Sequence, residues 1–497
     1  MRYKAYLRER YRIIAAYTAG IGVLIGLILL SPLLSLLFFP DVWRDSAAFI
    51  TIGGGVILLN FALWWFTRVK EEAHLSRQEG MVILSFGWTA AILTSALPFI
   101  WLEGLTPTQA IFEAASGWTG TGFTVLDVGA ASPMVLMFRS TMQLVGGAGF
   151  AIIVLTTTSG LIGTGLSSAE GRDELLVPNV RRSAEVVLQI YLAYNTLGTL
   201  ALWAAGMSLF DALNHTFAAI GTGGFSTRPE GVAYWDSQLI EIILMALMTL
   251  GMTNFATAYL LAKRKYRAFL FNGEIRTMVF FMVLGVGILL TTTTRQAYGG
   301  WGEGLRYAAF EAISAMSCTG FSLTTYTNWS DAGWMMMIAL MLIGGGSGST
   351  AAGIKLVRIY ILAKALVWEV RYAFLPGQIV REPIIWRGEQ RGFIKDSQVR
   401  EAALFGFFYL FTWFVLSIFM MSSGYDFRES LFEVASALSG VGLSSGLVSP
   451  ADPPYVLLTL ALAMLLGRLE FFALLIGVLK MASDAADYVR ESAGGGV

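Results

Sequence analysis

The stretch Glu311–Thr324, EAISAMSCTGFSLT, recurs in three further versions: EAASGWTGTGF ending at Gly122 and Phe123, HTFAAIGTGGF ending at Gly224 and Phe225, and EVASALSGVGL ending at Gly442 and Leu443. Nine positions before the last glycine of each version stands a polar or charged residue: Glu113, His215, Glu311 or Glu433. A second glycine stretch follows each after 24 to 27 residues: LVGGAGF at Gly146, TLGMTNF at Gly251, LIGGGSG at Gly344 and LLGRLEF at Gly467. Phe150, Phe255 and Phe471 lie four residues past that glycine, whereas the third version has Gly348 there. Self-similarity at a regular spacing is the signature of tandem repeats.

Composition sets the medium. Of 497 residues, 56% are hydrophobic and 14% charged, far below the ~25% charged content of soluble domains, so the chain reads as a polytopic membrane protein. Zero formal net charge argues against nucleic acid as the ligand, and the single Cys318 excludes a disulfide framework or a multi-cysteine metal site.

Five basic residues, Arg2, Lys4, Arg8, Arg10 and Arg12, precede an apolar run from about Ile13 to Phe39. That run exceeds the ~7 to 15 residues of a signal-peptide core and reads as a retained helix. A second span covers about Ala47 to Phe66, and neither carries the repeated motif. From Gly80 each repeat reads as membrane helix, short segment, glycine-rich loop and second membrane helix, in the first copy Gly80 to Trp101, Thr108 to Trp118, Thr119 to Thr124 and Pro133 to Thr158. Crossing a bilayer takes ~20 helical residues, so the short segments enter and return. Irregular backbone at membrane depth is tolerated where it is buried in protein or lines an aqueous cavity, so four such loops most economically share one pore.

The expected fold is all-α: four tandem helix–pore loop–helix repeats around one central pore plus an N-terminal two-helix hairpin, with ten membrane helices and four pore helices. The divisions are 1–72 for the hairpin, then 73–170, 171–270, 271–395 and 396–497 for the repeats, the last including a C-terminal tail. With both termini cytoplasmic, 27 of the 34 Lys and Arg fall on the inside, as the positive-inside rule requires.

A permeating cation must exchange water for oxygens, which a ring of backbone carbonyls supplies without the deep trap of a carboxylate ring. Glycine permits the φ values that turn successive carbonyls inward. The candidate filter triplets are Gly120, Thr121 and Gly122; Thr222, Gly223 and Gly224; Cys318, Thr319 and Gly320; and Gly440, Val441 and Gly442. The half-helices before them would aim their negative C-terminal ends at the cavity below. Glu113, His215, Glu311 and Glu433 read as anchors of the pore-helix backbone in preference to ion ligands, since His215 need not be charged.

The fourfold plan, the pieces TGTGF, GTGGFST, SCTGFS and SGVGLSSG, the stretch GGGSGSTAAGIKLVR and the late GRLE resemble the Trk/Ktr/HKT superfamily of potassium transporters over nearly the whole chain. The N-terminal hairpin is more similar to the Trk type, TrkH, than to the shorter Ktr type. The resemblance implies K⁺ uptake across a bacterial cytoplasmic (inner) membrane, a homodimer surrounded by lipid, and a cytosolic ring of nucleotide-binding RCK subunits of the TrkA kind, with no nucleotide bound by this chain itself. It carries the filter glycines onto Gly122, Gly224, Gly320 and Gly442. In plant relatives a Ser at the first of these accompanies Na⁺ transport, so Gly122 favours K⁺. Thr119-Gly120-Thr121 departs from a frequent all-Thr run, and Cys318 replaces a commonly hydroxylated or small residue.

Gly344 to Gly353 holds five glycines with Ser347, Ser349 and Thr350, a poor helix at ~1 kcal/mol per Gly relative to Ala, and is expected to break into a loop beneath the filter. The resemblance implies that this loop, Gly344, Gly345, Gly346, Ser347, Gly348 and Ser349, is a gate, with Lys355 at its inner end. Arg468 stands mid-helix, where a charge costs ~2.5 to 3.5 kcal/mol on insertion scales, so it either faces the pore or pairs with Glu470 or another helix. The long inside loop Arg371 to Arg400, with Pro376, Pro383, Tyr372, Phe374, Trp386 and Phe393 among its charges, exceeds a helix connection of ~2 to 8 residues and is expected to dock the cytosolic ring through Arg381, Arg387 and Arg391. A Na⁺-permeable or ion-coupled secondary transporter is the alternative. Its signature of two inverted halves differs from four same-sense repeats. An enzyme is disfavoured, because the only histidines are His74 and His215 and neither H-E-x-x-H nor a phosphate-binding G-x-x-x-x-G-K-[ST] occurs.

Overall fold

The computed structural model describes residues 2–68, 75–149, 180–374, 384–387 and 390–493. The N-terminal hairpin is α1 (Arg2–Leu30) and α2 (Ser46–Thr67), joined by two 3₁₀ turns that begin near Pro32 and at Pro40. Proline suits both places because its missing N–H falls among helix-start donors that lack an internal partner anyway. The hairpin is tied to the first repeat where Ser76 and Glu79 form a capping box at the start of α3 (Arg77–Glu103) and Glu79 also pairs with Arg10 of α1.

In the first repeat α4 (Pro107–Thr119) is the short helix and α5 (Pro133–Ala148) the second helix. The second repeat holds α6 (Val180–Ala204), α7 (Leu209–Ile220), α8 (Gln238–Met252) and α9 (Phe255–Ala262). After the short α10 (Tyr266–Phe271), the third holds α11 (Gly273–Leu289), α12 (Trp301–Ser317), α13 (Asp331–Ile343) and α14 (Leu356–Tyr372). The fourth holds α15 (Asp396–Ser422), α16 (Phe427–Leu438), α17 (Pro454–Arg468) and α18 (Phe472–Ala493).

Among the described residues six helices are long and apolar enough to cross a membrane, and eight if each bent pair counts as one span. The expectation of ten counted in addition the second helices of repeats 1 and 3. The first of these is described to Ala148, with positions 150–158 outside the described residues, and the other, α13, has 13 residues.

Two expectations need correcting. The second helices of repeats 2 and 4 are not continuous: α8 and α9 meet at 112°, α17 and α18 at 102°. The glycines at 251 and 467 are not the breaks, because α8 runs on to Met252 and α17 to Arg468. Each glycine instead admits the carbonyl end of its own pore helix. A Cβ at Gly146 would strike the Trp118 carbonyl oxygen, one at Gly467 that of Leu438, and one at Gly251 would lie 3.0 Å from that of Ile220. Those three carbonyls occupy equivalent places, four residues before the motif's last glycine. In repeat 4 the turn follows where Glu470 and Phe471 take φ of 51° and 58°. Secondly, the segment between α14 and α15 carries β1 (Ile384–Arg387) paired antiparallel with β2 (Gln390–Phe393), so the fold is helical with one small ribbon. Side-chain period alone does not separate four-residue strands from loop.

Three of the four motif helices start with a side-chain cap, whereas α12 follows Gly300 without one. Thr106 and Gln109 form a capping box before Pro107, Ser208 accepts from the Asp211 N–H, and Asp426 accepts from the Arg428 N–H. Neighbouring repeats are joined by polar contacts around the circuit. Arg306 of α12 bonds Glu241 of α8 at 2.5 Å and Asp236 at 2.7 Å, Arg428 of α16 meets Asp331 of α13 at 2.5 Å, and the Gln109 amide donates to the Pro450 carbonyl at 2.8 Å.

Because the Gly467 α-carbon abuts the Leu438 carbonyl, Gly467→Ala should lower the thermal midpoint of the detergent-solubilised protein, at a cost of about 1–3 kcal/mol for overpacking. Gly55→Ala, whose Cβ meets open space, is the control and should leave the midpoint unchanged.

Candidate functional site

The four motif loops share one backbone pattern. The first and third residues of every triplet have positive φ: Gly120 at 69° and Gly122 at 98°, Thr222 at 50° and Gly224 at 73°, Cys318 at 56° and Gly320 at 85°, Gly440 at 60° and Gly442 at 84°. The middle residues, Thr121, Gly223, Thr319 and Val441, are not among the positive-φ positions. Thr222 and Cys318 therefore hold a left-handed conformation that costs an L-residue about 1–2 kcal/mol.

The loops also close on one another. A Cβ on Gly122 would strike the carbonyl oxygen of Gly223, one on Gly224 that of Thr319, one on Gly320 that of Val441, and one on Gly442 that of Thr121. Repeat 1 thus abuts repeat 2, repeat 2 abuts 3, 3 abuts 4 and 4 returns to 1, which brings all twelve triplet residues into one ring. The first triplet position is less crowded: a Cβ at Gly120 would lie 3.3 Å from the Thr222 carbonyl oxygen, and one at Gly440 3.5 Å from the Ala352 Cβ.

The residues nine positions before the glycine anchor the limb that leaves the ring, where the sequence reading expected an anchor for the pore helix itself. Glu113 accepts from the Thr124 hydroxyl at 2.9 Å and the Val125 N–H at 3.0 Å. Glu311 accepts from the Ser322 hydroxyl at 3.0 Å and the Leu323 N–H at 2.8 Å, and Glu433 from the Ser444 hydroxyl and the Ser445 N–H, both at 2.7 Å. His215 does the same work without charge. The Asp211 carbonyl, 2.8 Å from Nδ1, can only accept, so Nδ1 carries a proton and Nε2 of the neutral ring accepts from the Ser226 hydroxyl at 2.9 Å. Glu113 has a further partner in the buried Arg139, whose Nε lies 2.8 Å away and whose guanidinium stacks over Phe225 at 3.8 Å.

Below the ring lies the segment between α13 and α14. Gly344, Gly348, Gly353 and Lys355 have positive φ, which ends the helix as its glycines predicted. The Gly346 N–H donates to the Met252 carbonyl at 2.8 Å, the Ser347 N–H to Glu274 at 3.1 Å, and the Thr350 hydroxyl to the Ile220 carbonyl, the end of α7, at 2.9 Å. Gly345 accepts from the Leu356 N–H at 2.9 Å, Ser349 Oγ donates to the Gly346 carbonyl at 2.7 Å, and Gly348 packs against Asn254. The Cys318 thiol lies 3.6 Å from the Ala352 carbonyl, so this loop touches the base of the ring.

Arg468 bonds main-chain carbonyls: Thr350 at 2.5 Å, and Gly146 and Gly147 at 2.5 and 2.9 Å. It is thus held by the loop and by repeat 1. Glu470, weighed as its partner, is engaged by Lys355 and Arg358. Beside them a cavity of ≈ 30 Å³ is lined by Ser349, Ala351, Ala352, Lys355 and Arg468 among others, about the room one water takes.

Sequence reading passed over several residues that build this region. Gln143 of α5 donates to the Gly223 carbonyl at 2.6 Å and accepts from the Phe225 N–H at 3.1 Å, fixing a neighbouring repeat's loop. Arg139 and Glu274 likewise carry no signal of their role in the sequence. The hydroxyls at 124, 226, 322 and 444 were legible, since each stands two residues after the last triplet glycine. His74, Phe150, Pro376, Arg381 and Pro383 lie outside the described residues, as do the side chains of Arg387 and Arg391.

Comparison with known proteins agrees with this architecture. The family model for TrkH, described as cation transport protein, matches residues 47–487. The Trk system potassium uptake protein TrkH of Halomonas elongata is 30% identical over 467 residues, covering 89% of this chain and 93% of that protein. An uncharacterized cation transporter of Methanocaldococcus jannaschii is 28% identical over 463 residues, covering 92% and 93%. The crystal structure of the potassium transporter TrkH from Vibrio parahaemolyticus superposes with a TM-score of 0.82 at 25% identity, covering 94% of this chain and 98% of that one. The family model spans most of the chain and the fold agrees over 94% of it: this protein belongs to the TrkH family of cation transport proteins, and is a transporter, not an enzyme.

Proposed function

We propose that this chain carries K⁺ into the cell across the inner membrane, through a pore framed by its four motif loops. The observation that carries this reading is the closed ring in which each repeat's third triplet glycine abuts the next repeat's middle carbonyl. Four chemically different loops meet there in one backbone conformation, and backbone oxygen is the ligand type that suits a desolvated alkali cation. Potassium is the cation named for the relatives from Halomonas elongata and Vibrio parahaemolyticus. Ten membrane crossings and four pore helices, both termini inside, are the arrangement this reading uses, with a homodimer and a cytosolic nucleotide-binding ring as its partners.

In this reading residues 344–353 are the gate, held against the base of the filter, and Lys355 and Arg468 frame its inner side. The direct test is flux of K⁺, Rb⁺, Na⁺ and Cs⁺ through the purified protein in liposomes, with and without a membrane potential. A protein that moved none of these ions, or moved Na⁺ as readily as K⁺, would overturn the assignment.

Two variants sharpen it. Gly122→Ser drives a side chain into the Gly223 carbonyl, and the K⁺/Na⁺ preference should fall about ten-fold, the change produced by about 1.4 kcal/mol of lost differential binding. An unchanged ratio would remove Gly122 from the filter. Removing Gly345 to Ser349 should raise K⁺ flux while the ion ratio stays constant. Lower flux in a correctly folded variant would count against the gate.

A further inference from the structure

Glu274 opens the first turn of α11, buried and far along the chain from the ring. A carboxylate in a helix's first turn ordinarily serves that helix's own amides. Here the Glu274 N–H is capped by the Asn272 side chain at 2.8 Å, and the carboxylate is turned to the loop, accepting from the Ser347 N–H at 3.1 Å and from the Asn254 amide at 3.4 Å. The loop's ties to repeat 2, at Met252, Gly251 and Ile220, end on main-chain carbonyls. Glu274 differs from them in being a side chain on an element that reaches the ribbon.

The residues just before it make that connection. The Phe271 ring, on the last residue of α10, stands 5.9 Å from the Trp386 ring of β1, and the Arg276 guanidinium lies over it at 4.6 Å. Gly273 lies so close under Tyr360 of α14 that a Cβ would overlap the ring. Three residues of chain, Phe271 to Gly273, thus link the Trp386 and Tyr360 contacts to Glu274.

We infer that Glu274 is a positioning residue that latches the 344–353 loop in its seat, and that the contact of Trp386 on Phe271 biases that latch. The inference rests on the reading of that loop as the gate. A buried carboxylate must keep its hydrogen-bond donors, and a charge-assisted bond to a main-chain N–H is among the stronger single ties available to a glycine-rich loop. Losing it shifts the balance between seated and withdrawn loop.

The test is K⁺ flux through the full-length chain in liposomes with no cytosolic partner added. Glu274→Ala should raise flux about ten-fold, the order expected from losing one hydrogen bond to a charged group, while the K⁺/Na⁺ ratio stays at the parent value. Glu274→Gln, which keeps an acceptor oxygen, should return flux most of the way. Ser347→Pro removes the N–H from the loop's side without touching Glu274 and carries the test if Glu274→Ala fails to fold. The double variant should leak no more than either single one, and Trp386→Ala should alter flux in the parent but not in the Glu274→Ala background. Flux at or below the parent level in Glu274→Ala and Ser347→Pro overturns the latch. If the variant lacking Gly345 to Ser349 leaks in the same assay, the gate survives that failure; if it does not, the gate falls too. Glu274→Gln leaking as freely as Glu274→Ala would refute the hydrogen-bond role, and equal effects of Trp386→Ala in both backgrounds would disconnect the ribbon.

Discussion

The approach of one repeat's α-carbon to the next repeat's carbonyl oxygen is the contact on which the centre of this molecule depends. At Gly122, Gly224, Gly320 and Gly442 two requirements coincide: φ lies in the left-handed region, and a neighbouring oxygen occupies the space of a Cβ. Left-handed φ alone is not prohibitive, since Thr222 and Cys318 adopt it at the first triplet position. The difference is crowding. A Cβ at Gly120 or Gly440 would meet neighbours at 3.3 and 3.5 Å, ordinary or slightly tight contact, whereas at the third position it would overlap an oxygen. Glycine is thus required by its lack of volume more than by its freedom of rotation, which explains how the first position varies while the third is glycine in all four repeats.

That constraint propagates outward. For four loops to meet backbone to backbone, the pore-helix ends must come in close, and the second helices of repeats 1, 2 and 4 accommodate those ends at Gly146, Gly251 and Gly467. The limb leaving each loop is tied back by Glu113, His215, Glu311 or Glu433 through a hydroxyl at a constant distance along the chain. Repeat 3 departs from this plan. Its Gly344 packs against Ala352 and Gly353 of its own loop, so a folded segment follows α13 below the ring.

Much of this was legible in the sequence, and what was missed has physical causes. The motif was a signal strong enough to place the first short helix, read as Thr108 to Trp118, within a residue of Pro107–Thr119, whereas α12 begins earlier relative to its motif, at Trp301. The poor helix at 344–353 was equally plain from its glycines. The bends at 253–254 and 469–471 were not, since α8 and α9 together read as one apolar run and a change of direction leaves hydropathy untouched. Gly251 and Gly467 stand out in the sequence by their spacing, but that they are contact points depends on what lies opposite. The roles of Gln143, Arg139 and Glu274 rest on partners that are distant in the chain, at Gly223, Phe225 and Ser347. No periodicity within one segment reports such pairs. The anchoring hydroxyls were available to inspection, because Thr124, Ser226, Ser322 and Ser444 repeat as faithfully as the glycines.

The central claim is that the ring of four glycines encloses the ion path, and the most direct measurement is anomalous diffraction from crystals of the full-length protein soaked in Tl⁺ or Rb⁺. The account predicts anomalous density within the ring bounded by Gly122, Gly224, Gly320 and Gly442, lost when K⁺ replaces the heavier ion and displaced in Gly122→Ser. Density confined to another part of the molecule, with the ring intact and without bound ion, would contradict it.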